Sequence, residues 1–288
     1  MILAEGGGSL ISMFYFADRI FLAFLRVEWS NRPDAAAYFG NPSRLRYSVD
    51  SKKGNPSMSE MSLDEAVLRR RSVRGFLPKP VPKALLRKVF DLAQWSPSGT
   101  NVQPWKICVA SGEVRDSLRA EFLRRVSEGE PSRQDHKDKG RLGEPYKQRR
   151  RDCARVLYEA MGIEWEDKAG RGSASLRNFE LFDAPHVAFF CMEDIFGGQS
   201  AADVGMYTQT LMLAMTAHGL ASCAQGTMGH YPDLVRETFG LEDNMTVLYG
   251  LSFGYEDTTI PANTARTTRA ALNESVQFMG GEIDYASN

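Results

Sequence analysis

Cysteine and histidine are scarce in this chain, and neither occurs in a metal-binding pattern. The 288 residues include four cysteines and four histidines. No Cys-x-x-Cys pair is present, and no histidine lies at ligand spacing from a cysteine or a carboxylate, so a metal site is not expected. Widely spaced cysteines, three of them in apolar surroundings, favour free thiols in a reducing compartment and predict a cytoplasmic location.

Common catalytic signatures are also missing. The chain has no Gly-x-Gly-x-x-Gly, no Walker loop, no His-Glu-x-x-His and no nucleophile elbow, so the folds and sites that these motifs mark are not expected. A Ser/His/Asp triad on another scaffold stays open. Lys and Arg number 35 against 36 Asp and Glu, a net charge of −1, and no general attraction to nucleic acid is expected.

Long hydrophobic runs are lacking as well. Residues 9–26 are rich in Phe, Leu and Ile, but Asp18 and Arg19 interrupt them, and the apolar stretches on either side are too short to span a bilayer. Residues 30–57 have the polar composition of a linker. The sequence predicts that residues 1–57 are a flexible or dispensable extension, with an interfacial amphipathic helix as the alternative.

A compact domain is expected over residues 58–288. Ser62-Leu-Asp-Glu65 is a capping box, which predicts a helix from there to about residue 71. The charged region of about 128–180 is predicted to be a lid insertion, and about 255–288 a C-terminal arm. Further helices are predicted from Pro82 and over 113–127, 149–161, 200–218 and 232–239, and strands over 105–110, 185–192, 220–224 and 246–254.

Two polar segments carry the strongest functional signal. The first is Arg-Arg-Ser-Val-Arg at residues 70–74. Guanidinium groups hold phosphate bidentately, and each charge-assisted hydrogen bond contributes roughly 1.5–3 kcal/mol. A cationic helix end that complements the helix dipole is the alternative. The segment at 96–106 weighs against that alternative, because the two together predict a phosphorylated, ring-bearing cofactor.

The second segment is a stiff, polar loop between a helix and a strand. Pro97 and Pro104 restrict its backbone, and Gly99 permits close approach of a ligand. Asn101 and Gln103 offer hydrogen-bond donors and acceptors together, which suits the pyrimidine edge of a flavin. A turn in which Ser98 and Asn101 bond their own backbone is the alternative. Trp105 starts a buried strand and is predicted to be core.

Two weaker candidates lie later in the chain. Ala224-Gln225-Gly226 ends a predicted strand, where backbone N–H groups are available to a redox-active ring nitrogen. Arg266 and Arg269 lie in an otherwise neutral arm and are candidates for phosphate contact, with solvated side chains as the alternative. The basic run at 149–151 is interpreted as a solvated face, because Glu and Asp are interspersed around it.

These residues together resemble the FMN-dependent nitroreductase family, in the branch that includes nitrobenzoate reductases. The resemblance covers about residues 60–279. It implies an α+β fold with three layers, a mixed but mostly antiparallel central sheet between helices, and an intertwined homodimer. The landmarks are Arg-Arg-Ser-x-Arg-x-Phe at 70–76, Pro-Ser-Gly-Thr-Asn-x-Gln-Pro-Trp at 97–105, Gly-Leu before the ring contact at 219–226, Asn-Phe-x-x-Phe-Asp-Ala-Pro at 178–185, Gly-Tyr at 254–255, and Arg269.

The resemblance also implies roles for single residues. The phosphate of FMN would be held by Arg70, Arg71, Ser72 and Arg269, and Arg74 would lie by the pyrimidine edge. Gln225 and Gly226 would present backbone N–H groups toward N5. The ring and ribityl chain would be lined, in part from the partner subunit, by Pro97, Ser98, Gly99, Asn101 and Gln103.

The implied activity is hydride transfer from NAD(P)H through FMN to a small nitroaromatic or quinone-like acceptor. Three alternatives stay open: a flavin-storing module without turnover, a reductive dehalogenase of the same family, and a phosphate-recognising interaction protein. Dehalogenation is the weaker option within the family, because no Glu and Tyr lie four residues apart between 120 and 180. Two departures from the family pattern are Ala271 in place of proline and Gln225 where some relatives have Glu.

Overall fold

The structure is a computed structural model that describes residues 61–136 and 140–279. The extension at 1–57 lies outside the described residues. The strands are β1 (Lys106–Ser111), β2 (His186–Glu193), β3 (Ala221–Gln225) and β4 (Met245–Gly254). The helices are α1 (Leu63–Arg69), α2 (Lys83–Ala93), α3 (Gly112–Ser127), α4 (Tyr146–Ala160), α5 (Lys168–Leu176), α6 (Gly198–Ala217) and α7 (Pro232–Phe239).

Local signals set several of these boundaries. The Ser62 hydroxyl accepts a hydrogen bond from the Glu65 amide at 3.2 Å, and the Glu65 carboxylate accepts one from the Ser62 amide at 2.9 Å. The predicted capping box is therefore confirmed, and α1 starts at the next residue. At the other end of the chain, Pro232 occupies the first turn of α7 and Gly240 ends it in the left-handed conformation at φ 60°.

The four strands form one sheet in the order β1-β2-β4-β3, and every pairing between them is antiparallel. β3 therefore lies at an edge of this sheet, beside β4. A single parallel bridge, Ser72 to Ser222, adds the segment after α1 to that edge. The sheet was expected to be mixed, and among the described residues this bridge is its only parallel pairing.

Strand β2 separates two hydrophobic cores. Val187, Phe189 and Cys191 face one core, in which Phe122 of α3 packs 6.3 Å from Phe189 between ring centres. Phe190 on the opposite face packs against Tyr207 of α6 at 6.3 Å. Because β2 is buried on both faces, its sequence is almost continuously apolar. The result is the predicted α+β fold with three layers: helices, sheet, helices.

Most predicted elements are present within a few residues of their expected limits. Helix α5 was not predicted, and β3 and β4 start one residue from their expected positions. Trp105 is partly buried against the second core, where it packs 5.1 Å from Tyr207 and donates its indole N–H to Gln94. No helix in the described part of the chain has the length and hydrophobicity needed to cross a bilayer.

His186 is held neutral at the start of β2. Its Nε2 accepts a hydrogen bond from the Val81 amide at 2.9 Å, so the ring proton lies on Nδ1, which contacts the Ser111 hydroxyl at 2.5 Å. Burial, and next the positive charge of Arg115, lowers the pKa of His186. A second ring proton would sit on Nε2 and face the Val81 amide, which is also a donor, so the hydrogen bond between them would be lost.

We expect stability to fall as the pH drops from 7.5 to 5.5. The unfolded state binds a proton near the ordinary histidine pKa of about 6.5, and the folded state resists it, so this group can remove up to about 1.4 kcal/mol per pH unit. Urea unfolding of the wild type and of His186→Gln at both pH values measures how much His186 contributes to the pH dependence of the free energy of unfolding. An equal pH dependence in the two proteins would contradict it.

Candidate functional site

The segment from Arg70 to Leu77 is fixed along the ends of β3 and β4. The Val73 amide donates to the Ser222 carbonyl at 3.1 Å, and the Leu77 amide donates to the Tyr255 carbonyl at 2.9 Å. The Asn263 side chain accepts from the Arg74 amide at 2.6 Å and donates to the Gly75 carbonyl at 2.9 Å. The predicted anion-binding segment is thus attached to the sheet edge by both neighbouring strands and by the arm.

Three arginines form a cationic cluster at this edge. Burial, and next the positive charge of Arg269, lowers the pKa of Arg70. Burial raises the pKa of the Cys223 thiol, and the positive charges of Arg74 and Arg70 act in the opposite direction. Within the described ranges, no carboxylate forms an ion pair with Arg70, Arg74 or Arg269. Like charges gathered without a counter-ion are the arrangement that an anionic ligand would neutralise.

Arg71 is arranged differently from its neighbours. Both of its contacts with Glu256 run from one guanidinium nitrogen to the two carboxylate oxygens, and the side chains are 28% and 19% exposed. Its Nε is buried without a hydrogen-bond partner. The phosphate role that the family resemblance implied for Arg71 therefore competes with this ion pair. Arg266 donates to the Asn263 and Ala265 carbonyls and braces the arm.

The far end of β3 presents an open backbone. The Gln225 side chain points inward, where it accepts from Ser252 at 2.5 Å and donates to the Asn178 carbonyl at 2.9 Å. The Gln225 side chain is therefore occupied, and its backbone is the part that stays available to a ligand. At Gly226 an added Cβ would meet no atom within 4 Å. Gly226 lies four residues beyond Ser222, roughly 13 Å along an extended chain.

A cavity of about 510 Å³ opens beside Gly226, within the range of volumes that hold cofactors. Its walls include Ala224 and Gln225 from β3, Gly205 and Thr208 from α6, and Tyr249 from β4. Thr208 and Tyr249 hydroxyls hydrogen-bond to each other at 2.8 Å. A second cavity of about 180 Å³ lies beside Arg74, with Leu157 of α4 and Ala174 of α5 in its wall.

The loop after α2 is strained and exposed. Thr100, Asn101 and Gln103 have φ of 48°, 59° and 51°, in the left-handed region that costs residues other than glycine of order 1–3 kcal/mol each. The Gln103 amide donates to the Ser98 hydroxyl at 2.9 Å, so the self-bonded turn exists as well. Strain of this kind collects at ligand-binding segments, whereas a simple connecting turn has no need of it.

Asp203 of α6 anchors this loop and was missed by the sequence analysis. Its buried carboxylate accepts a hydrogen bond from the Gly99 amide at 3.2 Å. Asp203 and the residues near His218 are separated by about 22 Å along the helix. The loop is therefore held near one end of α6, and the arginine cluster lies beside β3, which follows the other end. No sequence signal linked residues 99 and 203.

The chemistry of the site fits a phosphorylated flavin. Arg70, Arg269 and Ser72 offer phosphate donors at one end of β3, and the uncovered Gly226 at the other end lets a flat ring approach the backbone. Arg74, two residues after Ser72, adds a further cation to this segment. Among the described residues no group of His, Cys, Asp and Glu could hold a metal ion. The fold and the site together define an α+β protein that binds a nucleotide cofactor.

Comparison with known proteins gives the family. The sequence model of the Nitroreductase family matches residues 67–255, and the chain belongs to this family. It is 37% identical to nitroreductase NfnB of Mycolicibacterium smegmatis, over 80% of this chain and 99% of that one. It is 32% identical to a 4-nitrobenzoate reductase of Pseudomonas putida, over 75% and 95% of the two chains.

Solved structures agree with the sequence comparison. The crystal structure of the FMN- and NADPH-dependent nitroreductase NfnB from sphigopyxis sp. strain HMH superposes with a TM-score of 0.74 and 36% identity, covering 76% of this chain and all of that one. The M. smegmatis NfnB in complex with NADPH superposes with a TM-score of 0.71 and 38% identity, with the same coverage.

Proposed function

We propose that this chain is an FMN-dependent oxidoreductase that transfers a hydride from NAD(P)H to a nitroaromatic or quinone-like acceptor. The observation that carries the proposal is the layout of β3: uncompensated arginines at its start and an uncovered glycine beside a 510 Å³ cavity at its end. Relatives named nitroreductase and 4-nitrobenzoate reductase support the acceptor class. With a nitro compound, the first two-electron step would give a nitroso compound, NAD(P)⁺ and water, with uptake of one proton.

Bound FMN would supply a ring that accepts a hydride and passes on an electron pair. The chain's own residues would bind FMN and orient its ring. Arg70, Arg269 and Ser72 would bind the phosphate, and Arg74 would place positive charge beside the ring, where negative charge develops on reduction. The Gly226 amide would donate a hydrogen bond to the ring edge. The lid helices α4 and α5 would restrict water at the cavity beside Arg74.

We also propose that two copies of the chain assemble around α6. Large apolar side chains are exposed on or just after the helices that pack on α6: Leu68 of α1 is 84% exposed, and Trp95, two residues after α2, is 72% exposed. Exposed patches of this kind commonly mark interfaces. A second copy would let the loop residues Pro97, Ser98, Gly99, Asn101 and Gln103 line the face of the cofactor that β3 leaves open.

Two further parts of the proposal concern residues 1–57 and location. Every residue invoked above lies between 68 and 269, and the family match begins at residue 67, which supports a dispensable extension and a single domain over 58–288. All four cysteines are free thiols, three of them buried, which supports a cytoplasmic location.

An absorbance spectrum and one anaerobic mixing experiment test the function. We expect the purified protein to be yellow, to bleach when mixed with NADPH, and to regain its colour when a nitroaromatic is added. Light scattering on the same sample should give twice the chain mass. A yellow protein that never bleaches would favour the flavin-storing alternative, and a protein that stays colourless in excess FMN would contradict both.

A further inference from the structure

A short segment after α3 forms part of the wall of the 510 Å³ cavity beside Gly226. Gln134 and His136 line this cavity together with the end of β3 and one side of α6. Neither residue takes part in the cofactor contacts proposed above. The segment 130–136 contains no helix or strand, so its place in the wall depends on the contacts that attach it to the rigid parts of the fold.

The start of α7 holds the first half of the segment. The Tyr231 hydroxyl donates to the Glu130 carbonyl at 3.0 Å, and the Arg133 amide donates to the His230 carbonyl at 2.8 Å. Tyr231 is buried in the core around Phe122, which makes it a rigid support. The backbone that leads to the cavity is therefore fixed at two points.

Asp135 attaches the second half of the segment to a β-bulge in β4. The pairing of β2 with β4 shifts after Phe190, which leaves Leu248 without a partner on β2. The Asp135 carboxylate accepts a hydrogen bond from the Val247 amide at 3.0 Å, beside this extra residue, and Leu248 itself lines the cavity. Bulges redirect neighbouring side chains and are frequent beside functional sites.

Arg236 of α7 adds a third attachment. It donates to the Asp135 carboxylate at 2.6 Å and to the Met245 carbonyl of β4 at 2.8 Å. The two charged side chains are 19% and 21% exposed, so water weakens this ion pair less than it weakens a surface pair. Gln134 and His136 are the two neighbours of Asp135 in the chain, and its contacts therefore fix where their backbones lie.

The chemistry of the wall suits a ligand with exposed oxygens. Gln134 and His136 each carry an N–H donor, and among the described residues neither side chain has a hydrogen-bond partner. The Thr208 hydroxyl donates to the Val204 carbonyl at 2.9 Å, so the Tyr249 hydroxyl donates to Thr208 and both protons are already used. No Asp or Glu is found among the described residues that line the cavity. Nitro and quinone oxygens would therefore meet free donors and no repelling carboxylate.

We propose that Gln134 and His136 donate hydrogen bonds to the oxygens of the nitroaromatic or quinone-like acceptor, and that Asp135 is the positioning residue that holds them in the cavity wall. This inference rests on the proposed function. It assigns contacts with the acceptor to residues 134 and 136, whereas the cofactor contacts proposed above come from other segments. Gln209 lines the same cavity but lies on α6, so its position does not depend on Asp135.

Titration of the FMN-loaded protein with nitrobenzene, followed through the flavin absorbance, measures acceptor binding without turnover. Each neutral hydrogen bond is worth roughly two- to twelve-fold in affinity, so we expect Q134A/H136A to bind nitrobenzene at least about ten-fold more weakly. Its flavin occupancy should equal that of the wild type. Arg133→Ala is the matched control, because this exposed side chain does not line the cavity, and it should bind nitrobenzene as the wild type does.

Turnover with two acceptors separates lost hydrogen bonds from general damage. Ferricyanide takes single electrons and needs no hydrogen bond from the protein, so Q134A/H136A should reduce it with NADPH at the wild-type rate. With nitrobenzene, kcat/KM of the same variant should fall at least about ten-fold. If NADPH does not bleach the flavin of the wild type, the proposed function fails, and the titration still tests the acceptor contacts.

The role of Asp135 is tested by combining substitutions. D135A alone should weaken nitrobenzene binding about as much as Q134A/H136A does. Because Asp135 acts through its two neighbours, adding D135A to Q134A/H136A should weaken binding by less than about two-fold more. D135N keeps a side-chain oxygen for the Val247 amide and should lie between D135A and the wild type. Additive losses in the triple variant would remove Asp135 from its positioning role.

Three results would overturn the acceptor contacts. Q134A/H136A could bind nitrobenzene as tightly as the wild type does. It could lose FMN, which would assign the two side chains to the cofactor. Reduction of nitrobenzene and of ferricyanide could also fall together, which is the result of a merely structural role. If the double variant does not fold, the single variants Q134A and H136A give the same comparison.

Discussion

Replacing Arg70 and Arg269 together by glutamine should leave the purified protein almost free of flavin. The two guanidinium groups lie close enough for the charge of one to lower the pKa of the other, and no carboxylate of the described chain pairs with either. Each charge-assisted hydrogen bond to phosphate is worth roughly 1.5–3 kcal/mol, so losing one from each arginine should weaken FMN binding by about 10²–10⁴-fold. The ratio of flavin absorbance to protein absorbance measures the loss.

Two further variants show whether the effect belongs to the phosphate site. Arg150→Gln should keep full occupancy, since this residue lies on the exposed part of α4. Arg71→Ala should lose more flavin than Arg150→Ala and less than the double variant, because Arg71 is bound to Glu256 and its removal leaves that carboxylate unpaired. Unfolding of the apoproteins in urea reports any loss of stability. Full flavin occupancy in the double variant would remove Arg70 and Arg269 from the site.

Without FMN, the double variant should be more stable than the wild type. Its loss of flavin would then reflect weaker FMN binding and not a weakened fold. Bringing two positive charges together costs free energy when no anion is present, so the apoprotein of the wild type carries a repulsion that the variant lacks. FMN binding reverses the order, because ligand binding stabilises only the form that holds the ligand. We therefore interpret the cluster as a phosphate site: repulsion between its arginines destabilises the protein without FMN and is relieved when the FMN phosphate binds.

The sequence was sufficient for elements whose signals are local. The capping box at Ser62, the proline and glycine that bound α7, and the continuous apolar run of β2 each predict an element that the structure contains. Helix α5 has an N-cap, Asp167, but its two glycines and its lack of buried residues leave no apolar face from which a helix could be predicted. The order of the strands was also beyond the sequence, since β4 lies between β2 and β3 through pairings that periodicity does not encode.

In the candidate site too, the parts that are contiguous in sequence could be predicted, and the contacts between distant residues could not. The arginine segment and the proline-bounded loop were identified because each is contiguous in sequence. The partners that set their geometry are distant along the chain: Glu256 is 185 residues from Arg71, and Asp203 is 104 residues from Gly99. A buried carboxylate on an apolar helix is a visible anomaly in the sequence. Nothing local indicates which amide it binds.

Gly226→Val should abolish flavin binding without unfolding the protein. A Cβ at Gly226 meets no atom within 4 Å, and its φ lies outside the left-handed region, so the backbone accepts a side chain. Because Gly226 lines the 510 Å³ cavity, the valine methyl groups would occupy space that the ring needs. We expect at least a 100-fold loss of FMN affinity, equivalent to about 2.8 kcal/mol, with Gly226→Ala intermediate.

Gly229 supplies the matched control three residues away. There an added Cβ lies 3.0 Å from the Leu248 carbonyl oxygen, so Gly229→Ala should lower the stability of the apoprotein, while the cavity itself stays open. Gly226→Val should do the reverse: an apoprotein that unfolds at wild-type urea concentration and fails to retain FMN. Flavin titration of both apoproteins, followed by urea unfolding, separates the two effects. Wild-type FMN affinity in Gly226→Val would show that the ring does not approach the end of β3, because no planar ligand in contact with the Gly226 amide can share that space with a branched side chain.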